Sequence, residues 1–164
     1  MLVPLLQRAG EWHVLFIHRA ANHHDPHSGQ VAFPGGRQEP GDATLVATAL
    51  RETEEELGLP PQEVEVLGAL PPHRTVTNFC VTPVVGCIPW SLPLRPAPAE
   101  VSRAFTVPLT WLADPAHREI RARRLRADLP PIQAIFFQPY EGEIIWGATA
   151  RMVLTLLKAL RLNA

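Results

Sequence analysis

The chain has 164 residues, a hydrophobic content of 46% and a formal net charge of −1. That length and composition predict one domain over residues 1–164 with an ordinary packed core. The lack of a basic excess speaks against bulk binding to nucleic acid or to an anionic membrane.

In chain order, Met1 to Arg8 carries no charged region ahead of an apolar run, and no stretch nears the ~20 apolar residues of a membrane span. A cytoplasmic location is the expectation. Leu2 to Gln7 and Trp12 to His18 read as strands around a turn at Gly10. Ala21 to Ser28 is polar and rich in His, Asp and Pro, so it reads as a loop. Val31 to Phe33 reads as a short strand ending at Pro34-Gly35-Gly36. The strongest helix signal lies between Asp42, a good N-cap, and Gly58, a good stop with Pro60 behind it. Val46, Leu50, Thr53 and Leu57 form its apolar stripe.

Glu63 to Leu70 and Cys80 to Ile88 read as strands. Cys80 and Cys87 form no C-x-x-C and are expected to be small buried hydrophobes. The 18 prolines of the chain cluster at Pro89 to Pro98, which predicts a rigid loop. Glu100 to Arg103 reads as one helical turn, Phe105 to Val107 as a strand and Pro108 to Ala113 as a short helix. Glu119 to Leu125 and Ile132 to Phe137 suggest a hairpin, its arginines 118, 121, 123, 124 and 126 forming a solvated edge rather than a phosphate surface. Gly147 to Leu160 is a second long helix with Met152, Leu156, Leu157 and Leu160 inward. Many strands, two long helices and no regular βαβ alternation predict an α/β fold with a mixed sheet packed by helices.

The segment 35–59, GGRQEPGDATLVATALRETEEELGL, carries the chemistry. On a helix, Glu52, Glu55 and Glu56 stand at i, i+3 and i+4 and share a face, while Glu54 points elsewhere. Three carboxylates this close repel unless cations share them, and an all-oxygen set suits Mg²⁺, Mn²⁺ or Ca²⁺ rather than zinc. Arg51 reaches Glu55 at i, i+4. Gly35-Gly36 lets backbone approach a bound group, so a main-chain carbonyl could join a metal's shell. A solvated acidic face is the plainer reading of E-T-E-E-E alone; the flanking Gly-Gly, Arg51 and Gly58 favour the metal cage. His23, His24 and His27 lie in a polar loop without Cys or H-E-x-x-H, which makes them a poor transition-metal site. Trp146 either packs the last helix against the sheet or stacks on a base, with packing favoured.

At these residues the chain resembles the Nudix family. Gly36 through Leu59 is similar to the Nudix box, G-x5-E-x7-R-E-U-x-E-E-x-G-U, where U is a bulky aliphatic residue; Arg51, Glu52, Glu55, Glu56, Gly58 and Leu59 match it. Asp42 stands near the first acidic position with one extra residue before Arg51, and Thr53 replaces U, so N-capping is the expected role of Asp42. Upstream, Leu15 to Gly36, LFIHRAANHHDPHSGQVAFPGG, resembles the signature of the coenzyme A diphosphatase subgroup, most closely at Arg19 and Gly29 to Gly36. That subgroup's second arginine has no clear counterpart here. Likeness to this branch extends through Thr82 to Gly86, Glu100-Val101 and Ile145 to Ala150.

The resemblance implies an α/β/α sandwich with a curved mixed β-sheet. It implies a Mg²⁺- or Mn²⁺-dependent hydrolase of a diphosphate linkage, with coenzyme A or a derivative cut to 3′,5′-ADP and 4′-phosphopantetheine. It assigns Glu52, Glu55, Glu56 and the Gly36 carbonyl to the metal, and gives catalysis to Glu55, Glu52 and Arg51, with Glu100 as a further base or ligand. Arg19, His27, Gly35 and Gly36 are the candidate substrate contacts. The partner is then a small nucleotide-derived molecule, with a homodimer left open. Two alternatives stand beside it: a Nudix hydrolase of another substrate such as ADP-ribose, and a catalytically silent binding module.

Overall fold

Strict alternation along the second strand sets the architecture. Val14 and Phe16 point to one side and Leu15 and Ile17 to the other, and all four are fully buried, as a strand covered on both faces requires. The computed structural model describes residues 1–21, 28–76, 78–91, 93–124 and 131–162. In it β1 (Leu2–Arg8) and β2 (Glu11–Arg19) form the expected hairpin, and β3 is Val31–Ala32. Helix α1 spans Leu45–Leu57; β4 is Glu65–Ala69, β5 His73–Arg74, β6 Cys80–Val81, β7 Val84–Cys87 and β8 Val101–Pro108. Helix α2 (Leu109–Ala113), β9 (Arg118–Arg123), β10 (Ile132–Phe137) and α3 (Gly147–Ala159) complete the order.

The main sheet runs β3-β2-β1-β7-β4, with β8 pairing β2 antiparallel from His13 to Arg19. Because β8 overlaps both other partners of β2, β1 and β3 must share the opposite edge of that strand, one after the other. The sheet is mixed: β1 and β7 are parallel, the remaining pairs antiparallel. Phe16, Phe33 and Val107 pack with Met152, Val153 and Leu156 of α3. Leu15, Ile17 and Val84 pack with Ala49 and Leu57 of α1. Helix, sheet and helix therefore form three layers, the α/β/α sandwich the sequence led us to expect. Among the described residues no helix is long and apolar enough to cross a membrane.

Several local expectations are corrected. Asp42 does not cap α1. The cap is Thr44, extended at φ −148 and ψ 163, whose Oγ1 accepts from the Ala47 N–H at 3.0 Å; the extra loop residue leaves Asp42 two positions too early. Glu100 to Arg103 is not a helical turn, since Val101 opens β8 and the long edge of β2 is there to be paired. Cys80 to Ile88 is broken by Thr82-Pro83, because Pro83 has no N–H and serves as acceptor to Leu70 instead. The break separates the two cysteines, so Cys80 is exposed and Cys87 only half-buried. Residues 61–63 form a 3₁₀ turn ahead of β4, and Leu160, beyond the last turn of α3, is 40% exposed.

The hairpin β9–β10 forms as predicted, but residues 125–130 at its tip lie outside the described residues. Trp146 stacks on Phe136 at 5.4 Å between centroids, with the Arg123 guanidinium 3.9 Å above its ring. Its faces are thus engaged within the protein, which is the packing role rather than a free base platform.

The proline-rich segment finishes α1. Arg95 N–H donates to the Leu57 carbonyl at 2.7 Å and Ala97 N–H to the Glu56 carbonyl at 2.9 Å, so two carbonyls orphaned at the helix end are satisfied from a distant stretch. Gly58 closes the helix in the left-handed region at φ 65, and a Cβ there would stand 3.0 Å from the Cβ of Arg95. Gly58→Ala should therefore destabilise the fold by about 1–2 kcal/mol from backbone strain alone, with a further loss if the strap is pushed off. Urea unfolding midpoints of the two proteins measure this, and an unchanged midpoint would refute the cap assignment.

Candidate active site

One guanidinium makes three of the bonds between the loop 34–44 and α1. Arg51 Nε and Nη2 donate to Asp42 Oδ1 and Oδ2, both at 3.0 Å. Nη1 donates to Glu55 Oε2 at 2.9 Å, and Nη2 also reaches Glu52 Oε1 and the Arg37 carbonyl, both at 3.0 Å. The planar fork matches a carboxylate in two-point contact, which a lysine cannot reproduce. Asp42 accepts in addition from the Glu39 N–H at 2.9 Å. The Arg51 bond, and then the Glu39 N–H, hold its carboxyl well below the usual range. This fork replaces the capping role expected of Asp42.

The three predicted glutamates occupy a gradient of burial. Glu56 is 2% exposed, while the side chains of Glu52 and Glu55 are 15% and 55% exposed; Glu54 is exposed away from them. Glu56 Oε2 accepts from the Gly35 N–H at 2.7 Å, and Arg19 Nη1 lies 3.7 Å from its other oxygen. Burial nevertheless pushes the Glu56 carboxyl up to about 7, against the Gly35 bond and Arg19 and with help from the charges of Glu52 and Glu100. Glu52 is also raised, chiefly by burial, with Arg51 opposing and Glu55 and Glu100 adding to the rise. Gly36 abuts the Glu52 carboxylate so closely that a Cβ at this position would collide with it. The backbone approach anticipated for Gly-Gly is thus a contact with the glutamate itself.

Glu100, on the turn before β8, is close enough for its charge to act on Glu52 and Glu56, and its carbonyl accepts from the Ala20 N–H at 2.8 Å. Arg19 faces the acidic cluster. His27 lies outside the described residues. Among the described residues no three His, Cys, Asp or Glu side chains converge into a closed cage; Arg51 stands between Glu52 and Glu55 instead. The set is all oxygen, partly desolvated and mutually repelling, with backbone pressed against one carboxylate. That donor chemistry fits a hard divalent cation that takes further oxygens from elsewhere. The sequence reading missed the Asp42–Arg51 fork and the strap across the end of α1. An acid near the first acidic position of the box was the available signal for the former; nothing local signalled the latter.

The NUDIX domain family matches residues 1–128. The Nudix hydrolase NudL of Salmonella paratyphi B, described as uncharacterized, is 40% identical over 153 residues, covering 93% of this chain and 77% of that protein. A MutT/nudix family protein from Enterococcus faecalis shares the fold at a TM-score of 0.58 and 18% identity, covering 98% of this chain and 60% of that one. An Ap4A hydrolase of C. elegans does so at 0.57 and 17% identity, over 66% of this chain and 78% of that one. The chain belongs to the Nudix family. Within it, the chain is a Nudix hydrolase, a group of enzymes that use divalent cations such as Mg²⁺ or Mn²⁺.

The raised Glu56 has a measurable consequence in metal-free protein. Its folded value of about 7 exceeds the ordinary 4.5, so between these limits the folded state holds a proton that the unfolded chain releases. Stability should therefore fall as pH rises through this window, by at most on the order of 3 kcal/mol. Glu56→Gln keeps an acceptor for Gly35 and should flatten the profile, leaving the variant more stable than wild type at pH 8 in EDTA. Denaturation at pH 5 and pH 8 tests this; parallel pH profiles would show that Glu56 is not the desolvated acid.

Proposed function

We propose that this Nudix hydrolase cleaves the diphosphate linkage of coenzyme A or a derivative, giving 3′,5′-ADP and 4′-phosphopantetheine. The observation that carries the reading is the junction of the run Gly29 to Gly36 with the acidic face of α1. Gly35 N–H bonds Glu56 while Gly36 abuts Glu52, so the segment resembling the coenzyme A diphosphatase signature is built into the acidic site. The 40% identity to NudL, over most of both chains, supports the enzyme class.

In this reading Glu52, Glu55 and Glu56 hold the cation, with the Gly36 carbonyl as a further ligand. Mg²⁺ or Mn²⁺, when bound, offsets charge on the diphosphate oxygens and acidifies water. Water's oxygen bonds to one phosphorus, that phosphorus loses its bond to the bridging oxygen, and the bridging oxygen leaves on the other phosphate. The released proton passes to a carboxylate, Glu55 before Glu100 as the candidate. Arg51 keeps Glu52 and Glu55 in register and ties them to the loop. Arg19, with Gly35 and Gly36, lies where the shared diphosphate would be met. Cytoplasmic residence and a homodimer belong to the same proposal and are open to fractionation and light scattering.

Exhaustive chelation should abolish activity, and Mg²⁺ or Mn²⁺ should restore it where Zn²⁺ does so poorly; activity that survives chelation would sink the metal assignment. Glu56→Gln and Glu55→Gln should each lower kcat at least ~100-fold, about 2.7 kcal/mol of barrier, and Glu54→Gln should not. In a product analysis over a diphosphate panel, coenzyme A should exceed ADP-ribose in kcat/KM by at least ~10-fold. Preference for ADP-ribose would overturn the substrate while leaving the family intact, and no turnover of any diphosphate would favour a silent binding module.

A further inference from the structure

Among the described residues, two arginines are engaged by the carboxylates of the acidic face and a third, close by in the chain, is not. Arg51 is shared among five acceptor atoms and Arg19 lies against Glu56. Arg37 is exposed, and among the described residues no carboxylate pairs with it. Its backbone is held in the hub, since its carbonyl accepts from Arg51 at 3.0 Å. Its side chain leaves the hub in another direction, and the guanidinium lies 4.8 Å from the centroid of Phe79.

Phe79 is 43% exposed on the small β5–β6 hairpin. That hairpin is closed by reciprocal bonds, Thr75 N–H to the Phe79 carbonyl at 2.8 Å and Phe79 N–H to Thr75 Oγ1 at 3.1 Å. The ring offers its face to the Arg37 cation, a contact that limits the rotamers of the arginine. Arg37 remains exposed, so its N–H donors are accessible to an anion. Arg37 directly follows Gly36, the residue pressed on Glu52, so its backbone adjoins the acidic face while its side chain turns to Phe79.

We propose that Arg37, positioned by Phe79, is a specificity-determining residue that binds a phosphomonoester carried by the substrate apart from the diphosphate being cut, the 3′-phosphate in the case of coenzyme A. This rests on the coenzyme A reading for its substrate and on the Arg37–Phe79 geometry for its site. A planar guanidinium offers paired N–H donors to two oxygens of a monoester, a charge-assisted contact whose loss costs at least about 10-fold in affinity.

The test compares kcat/KM for coenzyme A and 3′-dephospho-coenzyme A in wild type, Arg37→Ala, Arg37→Lys and Phe79→Leu, each first shown to melt as wild type does. The ratio between the two substrates should fall at least ~10-fold in Arg37→Ala. It should fall by less in Arg37→Lys, which keeps the charge but not the fork. In Phe79→Leu it should fall through KM with kcat preserved. An unchanged ratio in Arg37→Ala, including equal losses on both substrates, overturns the proposal while leaving the coenzyme A reading in place. Should wild type turn over neither substrate, the coenzyme A reading fails, and equilibrium binding of 3′,5′-ADP against 5′-AMP decides Arg37 alone. A preference for 3′,5′-ADP that vanishes in Arg37→Ala upholds the monoester site, and equal binding by both proteins overturns it.

Discussion

One guanidinium holds the site in shape. Arg51 joins two oxygens of Asp42, the carbonyl of Arg37 and the carboxylates of Glu52 and Glu55. Those acceptors belong to two different pieces of chain, an irregular loop and a helix. A loop fixed only by its own turns would not keep Gly36 against Glu52. The arginine supplies the cross-link, and its planarity dictates that the Asp42 carboxylate be met edge-on. Both Asp42 oxygens are thereby engaged by the guanidinium, while Glu52 and Glu55 are oriented on either side of it and their mutual repulsion is eased. Removing either end of the fork would loosen the loop around Asp42 and leave the Gly35 bond with Glu56 in place.

Much of this was legible in the sequence because it depends on short-range periodicity. The spacing of Glu52, Glu55 and Glu56 puts them on adjoining turns whatever surrounds the helix. Gly58 stops the helix because only the left-handed conformation fits there. The alternation in β2 fixes two buried faces, and it also sends Arg19 to the same side as Leu15 and Ile17, toward α1 and Glu56, a consequence the pattern contained. What the pattern could not supply was competition among partners. Glu100 to Arg103 looks helical only until the open edge of β2 is known. Asp42 and Thr44 are both good caps, and the choice between them turns on where Arg51 points. The burial of Glu56 likewise depends on residues far along the chain.

The face is also chemically graded. Glu56 sits deep, desolvated and tied to Gly35; Glu52 is intermediate and touched by backbone; Glu55 is at the rim. Identical side chains at i, i+3 and i+4 thus meet different environments, and burial raises the proton affinity of Glu56 and of Glu52. An enzyme that must both hold a cation and take up a proton can use such a gradient, since carboxylates of one type are separated into roles by environment rather than by identity.

The strap formed by Arg95 and Ala97 has a consequence for how the molecule assembles. Helix α1 can nucleate from its own Thr44 cap, but the carbonyls of Glu56 and Leu57 stay open to water until a segment beyond β7 arrives. The far end of the glutamate-bearing helix is therefore completed by a contact of long sequence separation, and such contacts are slow to form because a large loop must close first. Prolines within the strap reduce its freedom before docking and so reduce that entropic barrier. The carbonyls of Glu56 and Leu57 find their protein partners only when the strap docks, so a nascent chain carries its glutamates before the end of their helix is closed.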